Sequence, residues 1–271
     1  MTAQAFAVPD AAVEQYRCEG FAIFEGAVVG SQLALAREIC ARAVAWKEEQ
    51  LKRTGATEDG ISLLGRRYFV SGFRRRDPRL EQILFSETTA AICRALIGDT
   101  AYLHNEQFVV KLRDERSSFA WHQDSGYTVY EGGAEKHAPY LTCWLALDDM
   151  SEENGTISLL PYSRAGTREL MEHRWSDEAN AMIGYEGDDP GDPVVVPVGT
   201  IVAFSSVTLH RSGCNSTDRP RRSYFMAYTP ALFPHADRSK GDVYSPAAVP
   251  FLEEGRRVGL KMRAVAPGGG D

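Results

Sequence analysis

The sequence predicts a mainly β fold with flanking α-helices, and three observations carry that expectation. Beyond Tyr102 the chain breaks into short runs of alternating or β-branched character, over 108–112, 119–122, 140–147, 156–160, 194–198, 201–204 and 222–228, separated by Gly, Pro, Asn, Asp and Ser. Short strands cut by turns in this way belong to a sandwich or a barrel. Before Tyr102 the apolar residues recur at helical spacing, so helices should flank the β core. The 271 residues, 44% hydrophobic and 25% charged, can bury a sizeable core without dividing. A single domain over 1–271 is expected, with a helical part over about 1–100, a β core over about 101–230 and a tail over about 250–271.

Pro9 and Asp10 ahead of Ala11 to Cys18, closed by Gly20, give a short helix with an acidic start, followed by a strand at Phe21 to Phe24. Ser31 to about Lys52 reads as a long helix on the spacing of Leu33, Leu35, Ile39, Ala43 and Trp46. Asp77-Pro78 opens another helical stretch to about Leu96, ended by Gly98. Asn154-Gly155 has the composition of a tight hairpin turn. The polar, Gly-rich segment 175–193 is an insertion that suits either a lid or a plain surface loop, and 61–76 is a second segment able to lie over a barrel mouth. The end of the chain, Ala-Pro-Gly-Gly-Gly-Asp, reads as frayed.

A net charge of −7 disfavours nucleic acid as a partner, since that binding needs basic surface against phosphates. Neither a leader segment nor a membrane-spanning run is evident, so no membrane partner and a cytoplasmic location are expected. Five dispersed cysteines without CxxC spacing read as reduced thiols, Cys214 among them as a small loop residue.

Chemistry concentrates in Trp121-His122-Gln123-Asp124. Two residues apart on an extended chain, His122 and Asp124 leave the same face and offer a metal one nitrogen and one oxygen. A second histidine completes a 2-His-1-carboxylate set that leaves coordination positions open. His210 fits, because the strand at 201–204 precedes it and the Ser, Gly, Asn, Asp and Pro of 212–220 allow a return that brings Arg221 beside it. A guanidinium fork there suits the far carboxylate of a chelating 2-oxo acid.

On these residues the chain resembles the phytanoyl-CoA dioxygenase family of Fe(II)/2-oxoglutarate-dependent oxygenases. The shared pattern is His122 and Asp124, Trp144 in a following strand, Asn154-Gly155, Gly199 before a strand, His210, Ser212 and Arg221, over roughly 103–228. The resemblance implies a double-stranded β-helix, a jelly-roll, cupin-like barrel. It implies Fe(II) on His122, Asp124 and His210, and 2-oxoglutarate as co-substrate with its distal carboxylate on Arg221 and Ser212 and Trp144 as a wall. The implied activity is a hydroxylase-type dioxygenase that converts 2-oxoglutarate and O2 to succinate and CO2 while oxidising a small-molecule metabolite; retention of Asp124 argues against a halogenase. Pro161-Tyr162-Ser163-Arg164 departs from the family's usual Pro-Gly-Ser-His.

Other residues are weaker candidates. Gln107, on the strand that follows His104 and Asn105, could reach the metal-proximal carboxylate of 2-oxoglutarate. Arg66 and Arg67, in a run of arginines and aromatics through Arg76, and Tyr127 and Tyr130, just past Asp124, are substrate candidates whose ordinary reading is a solvated surface. His104, His137, His173 and His235 read as satisfied structural histidines, and Asp148-Asp149 with Glu152-Glu153 as a solvated turn. Two rival functions stay open: a Zn(II) hydrolase, for which no general base is evident, and a non-catalytic barrel that binds a small acid.

Overall fold

The computed structural model describes residues 6–241, 243–244 and 248–258; the expected frayed end lies outside them. Two antiparallel sheets make up the β core. The larger runs, in hydrogen-bonded order, through Phe21–Phe24, Ile201–Ser205, Leu141–Ala146, Arg221–Thr229, Ala101–Lys111, Arg67–Ser71, Ser62–Leu63 and Glu58–Asp59, with Val249–Glu253 pairing the start of Ala101–Lys111. The smaller runs through Asp192–Pro193, Ile157–Leu160, Leu209–Ser212 and Phe119–His122. From Phe119 onward the chain steps from one sheet to the other at each major strand, which is jelly-roll connectivity. Among the described residues the two sheets are not hydrogen-bonded into a closed barrel.

Strand alternation sorts the larger sheet into two layers. Leu141, Cys143, Leu145, Tyr224, Met226, Tyr228, Phe108 and Val110 face the helices, packing with Ala36, Ile39, Cys40 and Ala43 of the Gly30–Thr54 helix and Ala90, Ile92 and Cys93 of the Glu87–Ile97 helix. Trp144, Ala146, Val202 and Phe204 face inward and meet Ile157 and Leu159 of the smaller sheet. Among the described residues no helix is long and apolar enough to cross a membrane.

Several expectations shift for identifiable reasons. The stretch from Asp77 is broken: a 3-10 turn at Pro78–Leu80 and a turn of helix at Glu81–Leu84 precede Glu87–Ile97, because the Ser86 hydroxyl accepts the Thr89 N–H and starts a new helix. Asn154-Gly155 does not close a hairpin, since the strands on either side of it lie in different sheets. Val194 and Val196 are apolar because they pack between the sheets, yet 194–198 does not pair as a strand. The basic and aromatic run contains a central-sheet strand, Arg67–Ser71, which alternation at only five residues did not reveal. Within 175–193, Ala181–Ile183 pairs with Arg174–Ser176, and Ala181 and Met182 are buried. Pro161-Tyr162-Ser163-Arg164 forms a short turn of helix, tied by Ser163 to Glu19 and by Arg164 to Asp189 and Asp192.

The helix-side layer holds one buried carboxyl. Glu106 accepts the Arg74 N–H at 2.8 Å and the Tyr224 hydroxyl at 2.8 Å, and burial pushes its pKa up to about 7 from 4.5. The folded state therefore binds the proton more tightly than the unfolded chain. The stabilisation is complete below the unfolded pKa and is lost as pH rises through about 7, by roughly 3 kcal/mol at most. Urea denaturation should show wild type losing stability relative to Glu106→Gln between about pH 4.5 and 7; a difference that stays constant with pH means that Glu106 is not held neutral.

Candidate metal centre and its cavity

His122 ends the Phe119–His122 strand and is the direct cross-strand neighbour of His210. The rings stand 4.1 Å apart. Asp124 is not on the strand, as the sequence suggested, but opens the short helix Asp124–Tyr130; Gln123 between them is extended, with φ −113° and ψ 138°. One extended residue keeps His122 and Asp124 on one side. Ligand atoms of His122, Asp124 and His210 lie within 4.8 Å of one another, the one such cluster among the described residues, with His210 Nε2 3.5 Å from Asp124 Oδ1.

Each ligand is oriented from behind. His122 Nδ1–H donates to the Ala120 carbonyl at 2.8 Å and His210 Nδ1–H to that of Thr208 at 3.1 Å, leaving both Nε2 lone pairs toward the cluster. Thr142 Oγ1 donates to Asp124 Oδ2 at 2.6 Å and leaves Oδ1 free. Burial, then the neighbouring His210, holds the His122 pKa well below its usual value, so the ring is neutral as ligation requires. Burial alone raises that of Asp124, against the pull of His210 and Thr142; a cation between the three groups reverses that penalty. Two neutral imidazoles and a carboxylate, all buried and pre-oriented, fit a divalent cation of the Fe(II) or Zn(II) type.

The turn that carries Asp124 is clamped. Gln123 Nε2 donates to the carbonyls of Glu169 at 2.9 Å and Val207 at 2.6 Å, and its Oε1 accepts the Met171 N–H at 2.7 Å. His173 Nε2 accepts the Gln123 N–H at 2.9 Å. His137 and His235 also find hydrogen bonds. His104 does not, and its Nδ1 is buried without a partner.

Beside the cluster lies a second group. Arg221 and Lys111 are cross-strand neighbours, each 1% exposed. Lys111 Nζ donates to Ser212 Oγ at 2.7 Å and to the Gly213 carbonyl at 2.6 Å, so the structure brings Ser212 and Arg221 together through a lysine that the sequence reading missed. The alternation Gln107, Val109, Lys111 was the available signal. Arg221 donates through Nε and Nη2 to the Gly155 carbonyl and through Nη1 to Ser223 Oγ at 3.2 Å, with its guanidinium carbon 5.7 Å from the Trp144 ring. Gly155 has φ +73° and sits where a Cβ would fall 2.6 Å from the Gly213 carbonyl, so the Asn-Gly pair serves to aim the arginine. Neither cation has an ion-pair partner among the described residues. Burial pushes the Arg221 pKa down to about 10, and burial with Arg221 pushes that of Lys111 well below its usual value. Two buried cations side by side are unfavourable unless an anion joins them.

A cavity of about 420 Å³ opens on His122 and Asp124 and is lined by Phe119, Tyr127, Gln107 and Arg75 among others. Of the sequence candidates, Gln107 and Tyr127 line it; Tyr127 stands 5.3 Å from the His122 ring and accepts the Met182 N–H. Tyr130 points outward, stacked on Trp175 at 5.4 Å. Arg66 pairs with Asp114, and Arg67 is a buried clamp on the carbonyls of Ile61, Ser118 and Asn180. Neither lines the cavity, which takes Ile61, Phe69, Ser71 and Arg75 from that segment instead. Asp148 is no solvated turn residue but holds Arg37 and Arg222.

A jelly roll with a buried His-Asp-His cluster beside a cavity defines a class of metal-binding β proteins. Residues 16–223 match the model for phytanoyl-CoA dioxygenase (PhyH), and the chain belongs to that family. It is 28% identical over 160 residues to the "probable alpha-ketoglutarate-dependent hypophosphite dioxygenase" of Stutzerimonas stutzeri, covering 56% of this chain and 53% of that protein. It is 24% identical over 237 residues to an ectoine dioxygenase of Bordetella bronchiseptica, covering 80% and 73%. The chain thus spans about half of the first relative's length. EvdO2 of Micromonospora carbonacea var. aurantiaca, solved with 2-oxoglutarate, superposes with a TM-score of 0.64 at 20% identity over 84% of this chain and 93% of that one, which shows the shared fold.

Thr142→Val removes the hydroxyl that fixes Asp124 without changing side-chain volume much. Divalent-metal affinity, measured by titration with Co(II), should fall about 10- to 100-fold with little change in melting temperature; unchanged affinity would mean that Thr142 does not orient the carboxylate.

Proposed function

We propose that the chain is an Fe(II)- and 2-oxoglutarate-dependent dioxygenase that hydroxylates a small-molecule metabolite. The observation that carries this reading is the pairing of a cluster suited to Fe(II) with two buried basic side chains that lack an ion-pair partner among the described residues, Lys111 and Arg221, linked to it through Ser212 on the strand of His210. A zinc hydrolase needs no such anion site, and a passive acid-binding barrel needs no pre-oriented metal ligands. Relatives named as dioxygenases of hypophosphite and ectoine support a small-molecule substrate.

In this reading His122, Asp124 and His210 hold Fe(II), and Arg221, Lys111 and Ser212 hold the distal carboxylate of 2-oxoglutarate with Trp144 as a wall. The bound metal and co-substrate supply coupled oxidation: O2 and 2-oxoglutarate give succinate and CO2 as the metabolite gains a hydroxyl. The chain's own part is orientation and exclusion. Thr142 and the backbone carbonyls of Ala120 and Thr208 aim the ligands, Phe119 and Tyr127 shield the His122 side, and the Gly155 carbonyl presents the Arg221 fork. The carboxylate anchor lies deep, so co-substrate binding neutralises buried charge as well as fixing geometry.

His122→Ala, Asp124→Ala and His210→Ala should each remove most Fe(II) binding and abolish succinate formation while circular dichroism stays native; full activity in Asp124→Ala would break the assignment. Arg221→Ala should raise the half-saturating 2-oxoglutarate concentration by one or more orders of magnitude, in line with about 2–5 kcal/mol for losing one partner of a buried charge pair. Arg221→Lys should restore part, as a point charge lacks the fork. Wild-type half-saturation in Arg221→Ala would sink the anchor.

A further inference from the structure

The cavity extends past His122 and Asp124 to a wall that the oxygenase reading leaves without a role. In the pairing of Ala101–Lys111 with Arg221–Thr229, Ala227 faces Asn105 and Tyr228 faces Leu103, which leaves His104 as the extra residue of a β-bulge. A bulge breaks alternation and re-aims a side chain. Here His104 joins Asn105 and Gln107 in the cavity lining, enclosed by Tyr140, Phe233 and Tyr244 at centroid distances of 5.4, 4.5 and 6.2 Å. Burial pushes its pKa down to about 4, so the ring is neutral. An orphaned N–H is rarer than an under-satisfied acceptor, which places the proton on Nε2 and makes the ring a donor.

Two further donors share the wall. Gln107 Oε1 accepts the Ser71 hydroxyl at 3.1 Å, which fixes the amide and leaves its NH2 as donor. Arg75 lines the same cavity, and its guanidinium makes no hydrogen bond or ion pair with another described residue. Of the nearby carboxyls, Glu106 is held by the Arg74 N–H and Tyr224, and Glu131, which lines the cavity, accepts the Tyr244 hydroxyl at 2.8 Å. We propose that the cavity binds a metabolite bearing a carboxylate or phosphoryl group, held by Arg75, His104 and Gln107 on the wall away from the metal ligands. This rests on the oxygenase reading and names the substrate class of that site. Converging donors select an anion over an ammonium or a bare hydrocarbon.

The test uses the full chain with Fe(II), saturating 2-oxoglutarate and a collection of small metabolites, half with and half without a carboxylate or phosphoryl group. The readout is succinate formed above the rate without an added compound. Every stimulating compound is expected to carry the anionic group, and Arg75→Gln to raise its half-saturating concentration roughly 10- to 100-fold. His104→Phe, which keeps a ring in the aromatic enclosure, should give a smaller rise. Arg76→Gln is the control and keeps the wild-type value, because Arg76 stacks on Trp46 at 4.2 Å, outside the cavity. Stimulation by a compound without the group, an anionic stimulator indifferent to both Arg75→Gln and His104→Phe, or no stimulation by any anionic member overturns the anion site. None of these results touches the oxygenase reading, which fails separately, and takes the substrate proposal with it, if wild type forms no succinate under any condition.

Discussion

The structure depends on a division within one layer of side chains, the inward face of the larger sheet. Toward one end that face is apolar, with Trp144, Ala146, Val202 and Phe204 packed on Ile157 and Leu159 of the smaller sheet. Toward the other it is polar, carrying Lys111, Gln107, Arg221 and Ser223, while Thr142 stands within the apolar group as the cross-strand neighbour of Phe204. The helix-side layer supplies a large continuous core, and a core of that extent lets the inward layer keep polar groups that oppose burial. Every polar group there is either aimed by a backbone carbonyl or hydroxyl or left facing the cavity.

Register converts that layer into a centre. His122 and His210 meet because two strands of the smaller sheet place them as direct neighbours, and Asp124 joins them because Gln123 stays extended before the chain turns into a helix. The Gln123 side chain, with three hydrogen bonds to loop backbone, ties segment 167–173 to the strand bearing His122. A shift of one residue in either strand would send the histidines to opposite faces. The bond network therefore fixes position where hydrophobic packing alone would tolerate slippage.

Much of this was legible in the sequence. The His122-x-Asp124 pair, His210 and Arg221 are local motifs, each readable within a few residues, and the short strands from Phe119 onward show as runs of alternating or β-branched residues between turn formers. What was not legible depends on distant pairing. Lys111 looked like an ordinary strand residue until Arg221 became its cross-strand neighbour, and Thr142 had no visible partner before Asp124 approached it. Arg66 and Arg67 drew notice through their charge, yet Arg67 lies in a central strand where it caps backbone carbonyls, while Arg75 reaches the cavity from the 3-10 turn Phe73–Arg75. His104 was read as a satisfied histidine because a bulge, which depends on the partner strand, leaves no mark in its own segment.

Arg221 and Arg75 differ in burial, and the difference separates their burdens. Arg221 is enclosed beside Lys111, so its charge is coupled to folding: any substitution there alters both the anion site and the energy of the layer that contains it. Arg75 is exposed at the cavity rim, where replacing a charged side chain costs the fold little. On the proposed reading, a co-substrate common to many oxidations is held by the costly inner residue, and a substrate that varies by the cheap outer one. On that same reading, the jelly roll could change its substrate through 61–76 and the bulge at His104 without disturbing His122, Asp124 and His210.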